Sequence, residues 1–267
     1  MSMPRMGTLV LQQQEAVRFT LSRKASSNGD LLTGVIIVHR EIIVTDLTRF
    51  SDDRVCLAGV DPVDMKLIRP MPYINQVECQ NFNILPGTKI AADFRPSPTI
   101  EAPHTEDHQW QNKNILARAT SDEFYNLLQA TLSSSISQGF GVDVRDKVIP
   151  EAHTPSSSII TINASLQLHP GYNCDLKKIR ASVTDSTGLT LGYLSITDLG
   201  FYRFAQKLQS PQALNNLDRF IKSQSKIFVR LGLGRLWKSE DGRKGFWIQI
   251  NGIYTFPEFS EEIRSYE

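Results

Sequence analysis

The sequence predicts a mostly β chain with added α, folded as two tandem five-stranded barrels. One strand-rich pattern occurs twice: three short apolar-alternating runs, a gap, then two more strands, which is not the strand-helix alternation of a βαβ enzyme. Turn-forming Gly, Asp, Ser and Pro separate the runs at short intervals. The 267 residues, 40% of them hydrophobic, suffice for two ordinary cores.

Residues 1–39 carry little periodicity and several Ser, Gln and Gly residues, so they read as a loosely ordered extension. The first domain spans residues 40–139. Its opening strands are residues 41–46, 54–59 and 65–69, a meander turned through Ser51-Asp52-Asp53 and residues 61–64. Residues 71–86 are irregular, then residues 87–94 and 114–119 supply the fourth and fifth strands. Thr120 with Glu123 makes a capping box, and Phe124, Leu127, Leu128, Leu132 and Ile136 share one face of a closing helix. Residues 140–157, rich in Gly, Asp, Pro and Ser, connect the halves.

The second domain, residues 158–260, begins with strands at 158–164 and 175–183. Asp185-Ser186-Thr187-Gly188 turns the chain into a third at 189–196. Asp198 caps a helix with Phe201, Phe204, Ala205 and Leu208 on one side. Ser210-Pro211 opens another, with Leu214, Leu217 and Ile221 inward. Two strands, 225–237 and 244–254, flank Glu240-Asp241-Gly242, the strongest hairpin signal in the chain. Three strands, helix, two strands is the order of an OB-fold, so the prediction is two OB-like barrels.

Composition narrows the function. No apolar run approaches the roughly 18 residues of a membrane span, and Val35–Val38 is too short and too late for a secretory segment. A cytoplasmic chain with no membrane partner is expected. Cys56, Cys79 and Cys174 are odd in number and widely spaced, which supports neither a disulfide framework nor a structural zinc site. Net charge is +1, from 29 basic and 28 acidic residues, which argues against wrapping nucleic acid by charge alone but leaves room for a local basic groove. There is no GxSxG elbow, Walker A sequence or HExxH pair, and Gly232-Leu233-Gly234 lies within a strand instead of opening a helix. No catalytic residue, metal ligand or cofactor is assigned.

Two constellations remain as ligand-binding candidates. The run Pro103-His104-Thr105-Glu106-Asp107-His108 concentrates imidazoles and carboxylates, and Arg69, at the end of the third strand before Pro70, can pair with Glu106 or Asp107 or contact a phosphate. In the final hairpin Ile227, Val229, Leu231 and Leu233 take one face. Phe228 and Arg230 fall on the other, joined by Trp247 of the partner strand, with Gly232 and Gly234 leaving the backbone bare. Rings beside an Arg suit stacked bases of single-stranded nucleic acid; the alternative is that this face packs on the other barrel or on the Phe201–Leu208 helix.

Val44-Thr45-Asp46-Leu47-Thr48-Arg49 through Val55-Cys56-Leu57-Ala58-Gly59, together with Leu67-Ile68-Arg69-Pro70, Pro103-His104-Thr105-Glu106-Asp107 and the closing hairpin, resembles the bacterial dual OB-containing domain family. The resemblance implies two tandem OB-like barrels between Arg40 and about Phe259 and carries over no catalytic residue. The expected function is a non-enzymatic OB-type binding module contacting single-stranded DNA or RNA. The alternatives are a metal-dependent nuclease or nucleotide-processing enzyme using the His104–His108 loop, and a protein-interaction subunit of a larger bacterial system.

Overall fold

The structure is a computed structural model that describes residues 19–20, 37–50 and 52–266. It is mostly β, with several sheets and short helices. The expected extension over residues 1–39 falls largely outside the described residues. Within it, β1 (Phe19–Thr20) pairs antiparallel with the start of β2 (Ile37–Arg49).

β2 is longer than the expected strand at 41–46 because it serves two neighbours. Its first half pairs with β6 (Thr88–Pro96) and its second with β3 (Arg54–Val60). The changeover is a bulge that leaves Thr45 between the pairs Val44↔Gly59 and Asp46↔Ala58. Gly59 is required at this crossing, since a Cβ there would stand 2.9 Å from the Ile43 carbonyl oxygen. β3 pairs with β4 (Leu67–Met71), and β4 runs parallel to β7 (Asp107–Arg118), which returns antiparallel to β6. The segment expected to be irregular contains β5 (Ile74–Asn75), paired with β3, and α1 (Gln76–Asn81), capped by the Asn75 side chain on the Glu78 amide. The apolar positions of these strands, Ile42, Val44, Leu47, Val55, Leu57, Ile68, Ile90 and Phe94, are buried together as the core of the first unit. Each contributes about 1.5–3 kcal/mol on burial.

α2 (Ser121–Ala130) carries the expected capping box: Thr120 Oγ1 accepts from the Glu123 amide and Glu123 accepts from the Thr120 amide. It stops earlier than its apolar face suggests. Thr131 turns its hydroxyl back onto the carbonyls of Leu127 and Leu128, and the serines that follow favour capping over continuation. Leu132 therefore lies in β8 (Leu132–Ser133) and Ile136 opens α3 (Ile136–Phe140), capped by Ser135. α2 bridges the halves, with Leu127 on Ile43 and Val60 and Leu128 on Phe228 and Tyr254.

The expected connection over 140–157 is built into the second unit. Phe140, Val144 and Ile149 join its core, and β9 (Val148–Pro150) pairs with a strand near the chain's end. That unit continues with β10 (Ile159–Asn163), β11 (Ser165–His169), β12 (Arg180–Thr184) and β13 (Thr190–Ser195). The strand expected from residue 175 starts at Arg180, since residues 172–174 form a 3-10 turn with Asn173 and Cys174 at positive φ. Asp198 caps α4 (Leu199–Lys207) and Pro211 opens α5 (Pro211–Ser223), both as expected. β14 (Lys226–Leu233) pairs with β16 (Lys244–Phe256) across the predicted Asp241-Gly242 turn, where Gly242 adopts φ +88°, and β15 (Trp237–Lys238) extends the hairpin towards its tip. β10 pairs with β14 and, in parallel, with β8; β11, β12 and β13 form an antiparallel meander. A parallel bridge joins Ile196 to Ile250. α6 (Glu261–Arg264) closes the chain. No helix of the described residues is long and apolar enough to cross a membrane.

Candidate functional site

Strand parity places Phe228 and Arg230 on the face of β14 opposite Val229 and Leu231, as expected, but that face is not open. Phe228 is fully buried beneath α2 and β16, with its ring edge-on to Tyr125 and Phe256 at 5.5 and 5.8 Å. Arg230 is 2% exposed. Its Nη2 donates to Asp46 Oδ2 at 2.7 Å and its Nη1 to Thr161 Oγ1 at 2.8 Å, while Nε bridges both Asp46 oxygens at 3.2 Å. The bulge at Thr45 aims Asp46 at Arg230, and Tyr254 Oη donates to the Thr45 carbonyl at 2.5 Å. The expectation of an open Phe228/Arg230 platform is thereby corrected. The aromatic-basic face of β14 is covered by α2, β16 and the bulge of β2. Gly232 is filled rather than bare, as a Cβ there would meet the Asn251 amide nitrogen at 2.2 Å.

The second constellation converges, also at the junction. Parallel register sets Arg69 beside Asp107, and Arg69 Nε donates to Asp107 Oδ1 at 2.6 Å with Nη2 2.8 Å from Glu106 Oε1. The second unit completes the tie: Ser158 Oγ donates to Glu106 Oε1 at 2.5 Å and Arg235 Nη2 to Asp107 Oδ2 at 2.6 Å. His104 is buried, with its Nδ1 3.7 Å from Glu106 Oε1 and its ring edge-on to Phe246 at 6.5 Å. The run expected as a polar loop is thus partly strand, because Asp107 opens β7.

Burial pushes the Glu106 carboxyl up, but His104, Arg69 and Ser158 outweigh it and hold it below the ordinary glutamate range. Burial likewise raises Asp107, and the hydrogen bonds from Arg69 and Arg235 carry it below its usual value. Cys56 lies close by, its thiol pushed up to about 12 by burial, so it is no nucleophile at neutral pH. Arg69, His104, Glu106 and Asp107 are each at most 6% exposed, which closes the cluster to a substrate. Among the described residues no group of three or more His, Cys, Asp or Glu is arranged to hold a metal ion. A polar groove of about 520 Å³ beside Asp93, Arg95 and Trp110, and an apolar cleft of about 200 Å³ between Phe124, Phe220 and Phe256, are lined by none of the cluster's residues, although the first reaches Met71 and Gln109, two positions along β4 and β7 from Arg69 and Asp107.

Trp247 alone of the hairpin candidates reaches solvent. It is half-buried on β16, next to Val148 of β9. Trp237 on β15 pairs with Gly245, which sets the two indoles diagonally across the ribbon with centroids 5.5 Å apart at 59°. Trp237 is 55% exposed, and the Arg243 guanidinium lies 4.9 Å from the Trp247 ring centroid while also pairing with Asp241 and Asp146. Lys238 and Lys244 are register partners on the same ribbon. Trp237 is not among the residues the sequence singles out, where it only ends a strand. The available signal was an aromatic near an Asp-Gly turn, diagonal to Trp247.

The chain matches no protein-family model, and a search of curated proteins finds no significantly similar relative.

Proposed function

We propose that the chain is a non-enzymatic binding module of two OB-like units that contacts single-stranded nucleic acid through the hairpin of its second unit. The strand pairings support the two-unit reading. In the first unit, pairing runs β2 to β3, β4, β7, β6 and back to β2, with β4 and β7 parallel. In the second it runs from β10 and β11 through β12 and β13, by the parallel Ile196–Ile250 bridge to β16, and through β14 back to β10. The similar order of the two paths supports the OB-type reading, in keeping with the resemblance to the dual OB-containing domain family.

The observation that carries the functional reading is the Trp237–Trp247 pair with Arg243 against it, on the loop between the fourth and fifth strands of the second unit. That loop is one of the two that OB-folds use for oligonucleotides. Indole faces accept any base, each stack contributing about 1–3 kcal/mol, and Lys238 supplies positive charge for the backbone beside Arg243 and Lys244, which are paired with Asp241 and Asp146 and with Glu151. The nuclease or nucleotide-processing alternative has no such support, since its carboxylates and His104 are sealed and engaged in the ionic tie. The test is fluorescence anisotropy on labelled single-stranded DNA and RNA 12-mers at low salt. Binding should weaken about tenfold in Trp237→Ala. Equal binding by that variant would remove the hairpin from the site.

A further inference from the structure

A second cluster of exposed rings lies on the same unit, away from the hairpin ribbon. The meander of β11, β12 and β13 buries one face in the core through Leu166, Leu168, Ala181, Val183, Leu191 and Leu194, so its other face is turned outward. That outer face is lined by short polar side chains and ends in three rings. His169 stacks on Tyr193 with centroids 5.1 Å apart and planes 11° apart, and Tyr172 lies 5.5 Å from Tyr193 at 32°. Tyr172 is 66% and Tyr193 37% exposed.

The backbone is distorted to build it. Between Val183↔Leu191 and Ala181↔Leu194 β13 carries one more residue than β12, and Tyr193 takes φ +56° at this bulge, a conformation rare for a bulky side chain. The bulge turns the Tyr193 ring out of the pleat and onto His169, whose Nε2 is held 2.9 Å from Ser182 Oγ. Tyr172 is presented by the turn in which Asn173 and Cys174 also have positive φ. Positive φ at the bulky Tyr193 and at Cys174 thus shapes the backbone on both sides of the rings. Gly192 beside Tyr193 leaves the surface clear, with nothing nearer than 3.9 Å to a Cβ placed there.

Two cations lie beside the rings, the half-buried Arg180 and the exposed Lys178. Arg180 sits between His169 and Ser195 in register. It donates to the Ser195 hydroxyl, its Nε is buried without a hydrogen-bond partner, and among the described residues it faces no carboxylate within ion-pair distance. Lys178, in the β11–β12 connection, is largely exposed and forms a loose, solvent-exposed ion pair with Asp175 at 3.8 Å, one that a phosphate can replace.

We propose that the outer face of β11–β13 is a base-stacking site, in which unpaired nucleobases stack on Tyr172 and Tyr193 and the flanking phosphates meet Arg180 and Lys178. The proposal rests on the reading of the chain as a single-stranded nucleic-acid binder and adds a second contact surface to it. Flat rings with a neighbouring unpaired guanidinium suit a polyanion of stacked bases better than a neutral sugar chain, which offers nothing to the charge.

The test compares wild type, Tyr172→Ala, Tyr193→Gly and Trp237→Ala in anisotropy titrations with labelled single-stranded DNA and RNA 12-mers, at low salt and with added salt, and with maltohexaose as a neutral competitor. Tyr193→Gly removes the ring and relieves the positive φ, and Tyr172 is exposed, so both variants should fold. The proposal expects each to weaken oligonucleotide binding about tenfold, and Arg180→Gln to reduce the slope of log affinity against log salt by about one. Wild-type binding that survives both tyrosine changes while failing in Trp237→Ala would overturn the ladder and leave the hairpin reading intact. Failure of the wild type to bind at tens of micromolar would overturn both. Displacement by maltohexaose would reassign the face to carbohydrate.

Discussion

Asp46→Ala tests whether the covered face of β14 is held by charge. Arg230 is 2% exposed and directs three of its hydrogen bonds at the Asp46 carboxylate, keeping only hydroxyls from Thr161 at 2.8 Å and Thr45 at 3.3 Å when that carboxylate is removed. Those hydroxyls carry no compensating charge. Stranding a buried guanidinium costs about 3–5 kcal/mol, whereas exchanging both partners for apolar groups of similar volume is often neutral. Asp46→Ala should therefore lose about 3–5 kcal/mol in urea unfolding at pH 7, followed by tryptophan fluorescence. The pair Asp46→Leu with Arg230→Met should recover most of that loss. A loss below about 1 kcal/mol in the single variant would refute the reasoning, because it would mean that water reaches Arg230 and the face is open. A double variant as unstable as the single would point to shape instead of charge.

The remaining predictions concern the other junction elements. Arg69→Ala should cost about 3–5 kcal/mol by leaving Glu106 and Asp107 buried with reduced neutralisation, as read by the same urea titration; an unchanged midpoint would mean the tie is idle. Both carboxyls lie below their ordinary values when folded, so their stabilisation is complete above about pH 5 and is lost as pH falls through about 4 towards the folded values. Asp107→Asn should flatten that acid limb, and an unaltered pH profile would contradict the assignment. Gly245→Ala would place a Cβ 2.2 Å from the Ile149 carbonyl oxygen and should lift β9 off β16, with faster amide exchange at Phe246 and Ile149; unchanged protection there would count against the pairing.

Local signals in the sequence located most of the elements. The capping box at Thr120 and Glu123, the Asp198 cap, Pro211 at a helix start and Asp241-Gly242 in a hairpin are rules of short range, and each is present where expected. Strand parity was legible too, since Val229 and Leu231 share one buried cluster while Phe228 and Arg230 lie on the opposite face. What parity does not contain is the occupant of the opposite face. Arg230 and Asp46 are 184 residues apart, and only the packing of two units brings them together. The early end of α2 depended on Thr131 bonding backward, and the length of β2 on a bulge shared by two partners. Tyr193 was invisible for a related reason: a positive φ in a strand inverts the alternation on which a side chain's face is judged.

The most direct measurement of the central claim is the affinity of the wild-type chain for labelled single-stranded 12-mers as a function of salt. Binding should lie in the micromolar range, with log affinity falling linearly against log salt at a slope of about −0.7 for each phosphate contacted and little preference among sequences. No binding at tens of micromolar and low salt, or binding that salt leaves unchanged, would contradict it.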